Sequence, residues 1–188
     1  MIAEAAGFHL VDLRIEFCRR IDAQAVTETL PVRHFRESDL PELKKIAADA
    51  YLNSRFYYDR NFTRERASAL YQEWIDKSCR GHADAVLVAE HEGGVGGFIT
   101  CQLESPGSSP IGRIGLLGVS SHARGSGLGK ALVNSALGYF EQKNAVEARV
   151  VTQGRNIAAQ KLYQANGFKT HSLNLWYHKW LTTNALSR

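Results

Sequence analysis

Residues 116–130 read LLGVSSHARGSGLGK, and this stretch decides how the fold is interpreted. An apolar segment ends at Val119, and after a short turn a glycine-rich segment, 124–129, leads into a helix predicted over residues 131–142. Backbone N–H groups at a helix N-terminus have no partner within the helix, and the helix dipole is positive there, so anions bind at this end. Glycines let the backbone approach a ligand closely because they carry no Cβ. The stretch therefore predicts a site for a pyrophosphate-like anion where a strand passes into a helix.

The composition is that of an ordinary globular protein. The chain has 188 residues, enough for one domain with a small extension. Hydrophobic residues make up 44% of it and charged residues 22%. The net charge of +4 suits an anionic ligand, but the basic residues are scattered rather than gathered in a stripe. We therefore expect a small ligand and no nucleic-acid partner.

Three cysteines, Cys18, Cys79 and Cys101, occur without a CxxC pair. An odd count without regular spacing is not typical of a disulfide scaffold, and the missing CxxC pair argues against zinc. No apolar run approaches the roughly 20 residues that span a bilayer, and the N-terminus lacks the features of a signal peptide. The sequence therefore predicts a cytoplasmic protein with free thiols, no bound metal and no membrane partner.

Hydrophobic periodicity predicts the order of strands and helices. Strands are predicted at residues 7–17, 30–35, 85–90, 95–103, 112–119, 148–152 and 168–181, the last as one or two strands. Helices are predicted from an N-cap at Ser38, over residues 63–79, over residues 131–142 and from Asn156. Hairpin-linked strands followed by βαβαβ units indicate a mixed α/β sheet with helices on both faces. The glycine-rich turn comes too late in this order for a dinucleotide-binding fingerprint, which belongs to the first βαβ unit.

The two ends of the chain resemble each other at a spacing of 160 residues. Gly7-Phe8 and the alternating residues that follow match Gly167-Phe168 and the strand after it. If the match is a duplication, residues 1–22 are a strand-like remnant of an upstream half-domain. A linker at 23–29, the main domain at 30–182 and a tail at 183–188 then follow. Chance is the alternative, because this dipeptide is common before strands.

Arg124, Gly127 and Gly129 follow the pattern R-x-x-G-x-G, and this segment resembles the coenzyme-binding motif of the GNAT acyltransferase superfamily. Other features stand at matching distances, so that the resemblance covers residues 32–180. They are the strand at 116–119, the helix from Asn156 that closes at Asn166-Gly167, and the strand and helix at 32–40. Within the superfamily, residues 113–117, 152–153 and 176–177 resemble the dTDP-fucosamine acetyltransferases.

The resemblance implies a GNAT fold of the α/β (α+β) class. The expected sheet is mixed, has about seven strands with helices on both faces, and carries a splayed pair at its fourth and fifth strands. The resemblance also implies an N-acetyltransferase that uses acetyl-CoA as co-substrate and transfers the acetyl group directly to the amine of a small acceptor. A nucleotide-linked amino sugar, such as a dTDP-4-amino-4,6-dideoxyhexose, is the implied acceptor. A protein or peptide N-acetyltransferase is the alternative, a non-catalytic acyl-CoA-binding domain is a third hypothesis, and a homodimer is left open.

The resemblance assigns coenzyme binding to backbone and side-chain groups along the opening stretch and at the next helix. These residues are Leu117, Gly118, Val119, Arg124, Gly125, Ser126, Gly127, Leu128, Gly129, Lys130 and Asn156. Tyr163 lies seven residues after Asn156, close to two helical turns, so both can face one side. A phenol with a pKa near 10 is protonated at neutral pH and can give its proton to a departing thiolate. Tyr163 is therefore predicted to be the general acid.

The sequence does not identify the general base. The candidates are Glu90, Glu104, His91, His122 and Asp59, and a chain of water molecules is the alternative. An aromatic run at residues 51–62 lies between the first two helices, where the superfamily builds its acceptor pocket. Sugar rings stack on aromatic faces, so the run predicts part of an acceptor site. Packing beneath a loop is the equally weighted alternative.

Overall fold

A computed structural model describes residues 2–21, 30–105, 107 and 109–181, which leaves the predicted linker and tail outside the described residues. The strands are β1 (His9–Arg20), β2 (Val32–His34), β3 (Ala85–His91), β4 (Gly94–Glu104), β5 (Ile111–Val119), β6 (Glu147–Gln153) and β7 (Lys169–His178). The helices are α1 (Ile2–Ala5), α2 (Leu40–Ala50), α3 (Arg55–Tyr58), α4 (Arg64–Lys77), α5 (Leu128–Gln142) and α6 (Ile157–Ala165).

The seven strands form one sheet in the order β2-β3-β4-β5-β6-β1-β7. Only β5 and β6 pair in parallel, and the other neighbours are antiparallel. Helices α5 and α6 pack on one face in a core that includes Leu132 and Tyr163, and α2 and α4 pack on the other face with Leu43 and Ile75. The predicted mixed sheet with helices on both faces is confirmed. Within the described ranges, no helix has the length and apolar character needed to cross a bilayer.

The N-terminal strand β1 lies inside the sheet, between β6 and β7, and not at an edge. Its register places Arg14 opposite Gln153 of β6 and Leu13 opposite Leu175 of β7. Phe17 of this strand is 1% exposed, and its ring centroid lies 6.1 Å from that of Tyr163. The strand predicted at residues 7–17 is therefore an integral part of the main core, because removing it would separate β6 from β7.

Two local predictions differ from the structure, and a third is narrowed by it. Ser38 is not the N-cap of α2: it lies in a short 3₁₀ turn, and the Asp39 carboxylate accepts the backbone N–H of Arg36 at 2.8 Å instead. The helix predicted from residue 131 begins earlier, at Leu128, because Gly127 adopts a positive φ of 88° and ends the preceding turn. The terminal segment, predicted as one or two strands, forms a single strand, β7.

A β-bulge in β5 separates that strand from β6. Cys101 pairs with Ile114 and Ile99 pairs with Leu117, so two residues of β5, at positions 115 and 116, oppose Thr100 alone. Because of this extra residue, Ile114 packs on the α5 side and Leu116 on the α2 side, although they are two positions apart. The registered pairs between β5 and β6 end at Ile114 and Val150. The sheet therefore opens into a gap between its fourth and fifth strands, counted from β2, as the resemblance implied.

A buried hydrogen bond stabilises the bulge. The Leu116 backbone N–H, which the bulge removes from the strand ladder, donates to Thr100 Oγ1 at 2.8 Å. Thr100 is 2% exposed, so water cannot replace it. A Cβ at Gly115 would lie 2.8 Å from the same hydroxyl oxygen, and glycine is therefore required at that position. The bend of β5 thus depends on Gly115 and Leu116 of that strand and on the Thr100 side chain of β4.

Replacement of Thr100 by valine tests this account of the bulge. Valine keeps the side-chain shape but leaves the buried Leu116 N–H without an acceptor, which costs about 1–3 kcal/mol. We expect the free energy of unfolding, measured by urea denaturation, to fall by that amount. Thr170→Val, at an exposed position of β7, is the control and should change stability by less than about 0.5 kcal/mol. Equal stability of the two variants would contradict the role of the hydroxyl.

Candidate active site

The gap between β5 and β6 ends near the N-terminus of α5. Beyond Ile114, the residues of β5 up to Val119 pair with β4 alone among the described strands, and their other edge faces the gap. Unpaired strand edges present N–H and C=O groups that can pair with another extended molecule. The predicted residues Leu117, Gly118 and Val119 therefore lie along this edge, and the anion-binding turn follows directly after them in the chain.

The turn before α5 has the geometry of an anion site. Gly125 and Gly127 have positive φ angles of 84° and 88°, and a Cβ at Gly125 would meet nothing within 4 Å. The backbone N–H groups of Gly125, Gly127 and Leu128 have no acceptor within the described residues. Arg124 and Lys130 are exposed, and neither forms an ion pair with that part of the chain. Free amides at a helix N-terminus beside two cations fit a diphosphate.

Several predicted coenzyme residues also serve the packing of the fold. A Cβ on Gly118 would lie 2.8 Å from Phe98 Cε1, so the neighbour that requires this glycine is a core side chain. A Cβ on Gly129 would lie 3.3 Å from Leu162 Cδ2, which brings α5 and α6 close together. Asn156 is the N-cap of α6, since its Oδ1 accepts the Ala159 N–H at 3.2 Å. Ser126 donates its hydroxyl proton to the carbonyl of residue 123 at 2.6 Å, which closes the turn.

Tyr163 is buried, at 5% exposure, between α6 and the sheet. Its ring packs against Phe17 and Phe168, with centroid separations of 6.1 and 5.8 Å. Burial raises the pKa of the Tyr163 phenol well above its usual value, so the group is protonated throughout the neutral range. A protonated phenol is the state that a general acid requires.

Tyr51 is a residue that the sequence reasoning did not single out. Burial and, to a lesser degree, the Tyr163 phenol raise the pKa of Tyr51, while the Leu117 backbone N–H lowers it. The Tyr51 hydroxyl is therefore near both the predicted acid and the edge of the gap. That hydroxyl is buried and has no hydrogen-bond partner within the described residues. Its ring stacks on Tyr71, with the two centroids 4.3 Å apart. No local sequence pattern predicts the position of the Tyr51 hydroxyl, because that position arises from contacts with distant segments.

The three carboxylates among the five candidate bases are already paired. Glu90 Oε1 lies 2.6 Å from Arg33 Nε, and Glu104 Oε1 lies 2.7 Å from Arg113 Nε. Asp59 is 8% exposed and lies 2.5 Å from His178 Nδ1. The two histidines also have polar neighbours: His91 Nε2 lies 3.9 Å from Glu92 Oε1, and His122 Nε2 lies 3.4 Å from Ser120 Oγ. Their ring centroids are 6.3 Å apart. None of the five is brought next to Tyr163 by a contact that the structure shows.

Asp12 of β1 is a second residue that the sequence reasoning missed. It is 4% exposed, and its Oδ1 has no hydrogen-bond partner within the described residues. Burial raises the pKa of Asp12, and the nearby guanidinium groups of Arg155 and Arg55 oppose that rise. The alternation of β1 could have predicted that Asp12 lies on the face opposite Leu13. The burial of Asp12 could not be predicted, because it depends on α3 and on the turn after β6.

A cavity of about 340 Å³ lies beside the end of β7. Its lining includes Asp59, His178, Trp180, Tyr58, Arg60 and Arg155. The Arg155 guanidinium stacks on the Tyr58 ring at 3.8 Å, and Tyr58 is 57% exposed. The predicted aromatic run is therefore divided: Tyr51, Phe56 and Tyr57 pack against the α2–α4 core, while Tyr58 faces the cavity. The described residues contain no group of three His, Cys, Asp or Glu side chains placed to hold a metal ion.

Comparison with known proteins identifies a family. The family model described as "Acetyltransferase (GNAT) family" matches residues 42–168, more than half of the chain. A solved GCN5-related N-acetyltransferase from Sphaerobacter thermophilus has a TM-score of 0.62 at 21% identity, covering 94% of this chain and 54% of that one. At this identity the likeness concerns the fold.

The curated relatives act in different settings. The spore coat polysaccharide biosynthesis protein SpsD of Bacillus subtilis strain 168 is 28% identical over 145 residues, which are 76% of this chain and 48% of SpsD. The dTDP-fucosamine acetyltransferase of Escherichia coli O6:H1 is 25% identical over 92% of this chain and 72% of its own length. A mycothiol acetyltransferase from Salinispora arenicola is 31% identical over 68% of this chain and 42% of its own. The chain thus spans about half the length of SpsD and less than half of the last relative.

The pairing of Asp59 predicts a pH dependence of stability. Burial alone would raise the pKa of Asp59, but hydrogen bonds from His178, Asn61 and Trp180 outweigh it and hold that pKa at about 2. A carboxyl whose folded pKa lies below its unfolded value stabilises the fold above the unfolded value, near 3.9, and this contribution is lost as the pH falls to 2. The expected loss is about 2 kcal/mol.

Denaturation of Asp59→Asn between pH 2 and pH 5 measures this contribution. The variant is expected to lose about 2 kcal/mol less than the wild type over that range, because its amide does not titrate. Asp49→Asn, at an exposed position of α2, is the control and should follow the wild type. If the Asp59 variant also follows the wild type, the pairing with His178 does not control the titration of Asp59.

Proposed function

Since the chain belongs to the GNAT acetyltransferase family, we propose that it transfers the acetyl group of acetyl-CoA to the amino group of a small acceptor. The observation that carries this proposal is that the free edge of β5 at the gap is followed directly by the free amides at the start of α5. An extended thiol arm attached to a diphosphate needs such a combination of strand edge and helix N-terminus.

The coenzyme would be held by backbone groups at both ends of the predicted stretch. The amides of Gly125, Gly127 and Leu128 bind the diphosphate, with Arg124 and Lys130 as charge partners. The free edge of β5 at Leu117 and Val119 orients the thiol arm. Acetyl-CoA supplies an activated acyl carbon, and the chain supplies position, protection from water and a proton.

Tyr163 is proposed to act as the general acid. The amine nitrogen bonds to the acetyl carbon, the carbon–sulfur bond breaks, and the Tyr163 hydroxyl gives its proton to the departing sulfur. The nitrogen loses a proton to solvent or to a neighbouring group, and a proton from solvent returns to the Tyr163 oxygen before the next turnover. Because burial keeps the phenol protonated, the acid is ready at every neutral pH.

We propose a nucleotide-linked amino sugar as the acceptor. Two relatives carry names that refer to polysaccharide or to a dTDP-linked amino sugar, which supports this class over others. The cavity near β7 adds a physical argument, since Arg60 and Arg155 are cations that suit phosphates and Tyr58 offers a ring for stacking. A protein or peptide acceptor is the alternative, because it would use the same coenzyme site.

Binding and turnover assays separate these proposals. Acetyl-CoA is titrated by calorimetry, and thiol release is then followed with dTDP-linked amino sugars, peptides with free N-termini and simple primary amines. We expect binding of acetyl-CoA and turnover with the amino sugars. Absence of acetyl-CoA binding would contradict the proposed reaction, and turnover confined to peptides would exclude the sugar acceptor.

Replacement of Tyr163 by phenylalanine tests the proton donor. We expect kcat to fall by about 10²–10⁴-fold, because the departing thiolate loses its proton source. The Kd of acetyl-CoA, measured by calorimetry, should stay within about threefold of the wild type, since the ring and its packing remain. Tyr139→Phe on α5 is the matched control, with both constants unchanged. An equal loss of turnover and affinity, or no loss, would remove Tyr163 from this role.

A further inference from the structure

Five buried side-chain polar atoms have no hydrogen-bond partner within the described residues. They are Asp12 Oδ1, Tyr51 OH, Ser54 Oγ, Arg55 Nε and Arg155 Nη1. A buried polar atom without a partner costs about 1–3 kcal/mol, and native proteins contain few of them. These atoms come from β1, from the segment that leads into α3 and from the turn after β6, so they call for a common physical explanation.

The contacts around Asp12 bring three of these groups together. The β1–β7 register places Asp12 opposite Trp176. The guanidinium of Arg55, the first residue of α3, lies 4.2 Å from the centre of the Trp176 ring. On the other side, Arg155 Nη2 lies 4.0 Å from Asp12 Oδ1 and donates to the Val11 carbonyl at 2.9 Å. Arg55 and Arg155 therefore approach the buried Asp12 from two sides, and we call these three residues the Asp12 patch.

The Asp12 patch combines both kinds of hydrogen-bonding group. A carboxylate oxygen only accepts, and a guanidinium N–H only donates. A phosphate offers acceptors alone and would be repelled by Asp12, while an alkyl ammonium offers donors alone and would be repelled by the two arginines. Ring hydroxyl and amino groups of a sugar offer donors and acceptors on neighbouring atoms. The chemistry of the patch therefore fits an amino sugar better than either simple ion.

The patch connects to the predicted reaction centre on one side and to the cavity on the other. Asp12 and the Arg55 guanidinium both influence the pKa of Tyr71, which stacks on Tyr51 at 4.3 Å. Tyr51 in turn lies near Tyr163. On the other side, Arg155 is shared between the patch and the cavity lining. An acceptor whose sugar lies at the patch can thus extend its phosphates into the cavity and its amine toward the gap.

We propose that the Asp12 patch binds the sugar ring of the acceptor, with Asp12 accepting hydrogen bonds from its hydroxyl or amino groups and Arg55 and Arg155 donating to its oxygens. This inference rests on the proposed acetyl transfer and assigns to it a recognition site. It gives β1 a function in acceptor recognition in addition to its place in the sheet. Asp12 is then a residue that determines specificity for a sugar.

The test compares Asp12→Asn with Glu16→Gln. Glu16 is a matched control because it lies on the same face of the same strand, but its carboxylate is already paired with Arg113 at 3.2 Å. Calorimetry with a dTDP-linked amino sugar, in the presence of CoA, is expected to show at least tenfold weaker binding to Asp12→Asn and unchanged binding to Glu16→Gln. The Kd of CoA should be the same in both variants, and turnover with a simple primary amine should be unchanged in Glu16→Gln.

A second variant guards against loss of folding, which circular dichroism would reveal. Arg55→Lys keeps the charge and removes Nε, and it is also expected to weaken sugar binding while leaving CoA binding unchanged. Unchanged sugar binding in folded Asp12→Asn would overturn the inference, as would equal weakening in Asp12→Asn and Glu16→Gln. If the wild type acetylates amines while these variants bind sugar normally, only this inference fails. If the wild type neither binds acetyl-CoA nor acetylates any amine, the proposed function fails.

Discussion

The hydrogen bond from the Leu116 N–H to Thr100 Oγ1 is the interaction on which the proposed coenzyme site depends. It satisfies the backbone group that the bulge exposes, and Gly115 makes room for it. Because the bulge bends β5, its pairing with β6 stops at Ile114 and the sheet opens. The opening is therefore a consequence of satisfied hydrogen bonding, and it leaves a free strand edge that leads to the start of α5.

The N-terminal strand links the core to the proposed acceptor-binding side of the molecule. Its inward residue Phe17 packs against Tyr163 on the α6 face, while Asp12 is buried on the face that α3 covers. One strand thus supports the proposed acid and presents the proposed sugar-binding carboxylate. A sheet in which β1 lies between β6 and β7 couples both to the same backbone register.

The sequence predicts the features whose signals are local. The glycine-rich turn, the Asn156 cap and the helix that carries Tyr163 depend on neighbouring residues, and the structure has each of them. Their binding and catalytic roles remain predictions. Asp12 and the partner of Asp59 could not be predicted, because their surroundings come from segments far away: Arg155 donates to a carbonyl 144 positions away, and Asp59 meets His178 across 119 positions.

The β5–β6 gap and the start of α5 are proposed to form one coenzyme site. Hydrogen–deuterium exchange of the full chain with and without acetyl-CoA tests this claim most directly, because it reports on backbone amides. Slower exchange is expected at residues 116–119 and 125–130, with no change at residues 85–90 of β3. Unchanged exchange in both segments at saturating acetyl-CoA, or protection confined to other parts of the chain, would contradict the account.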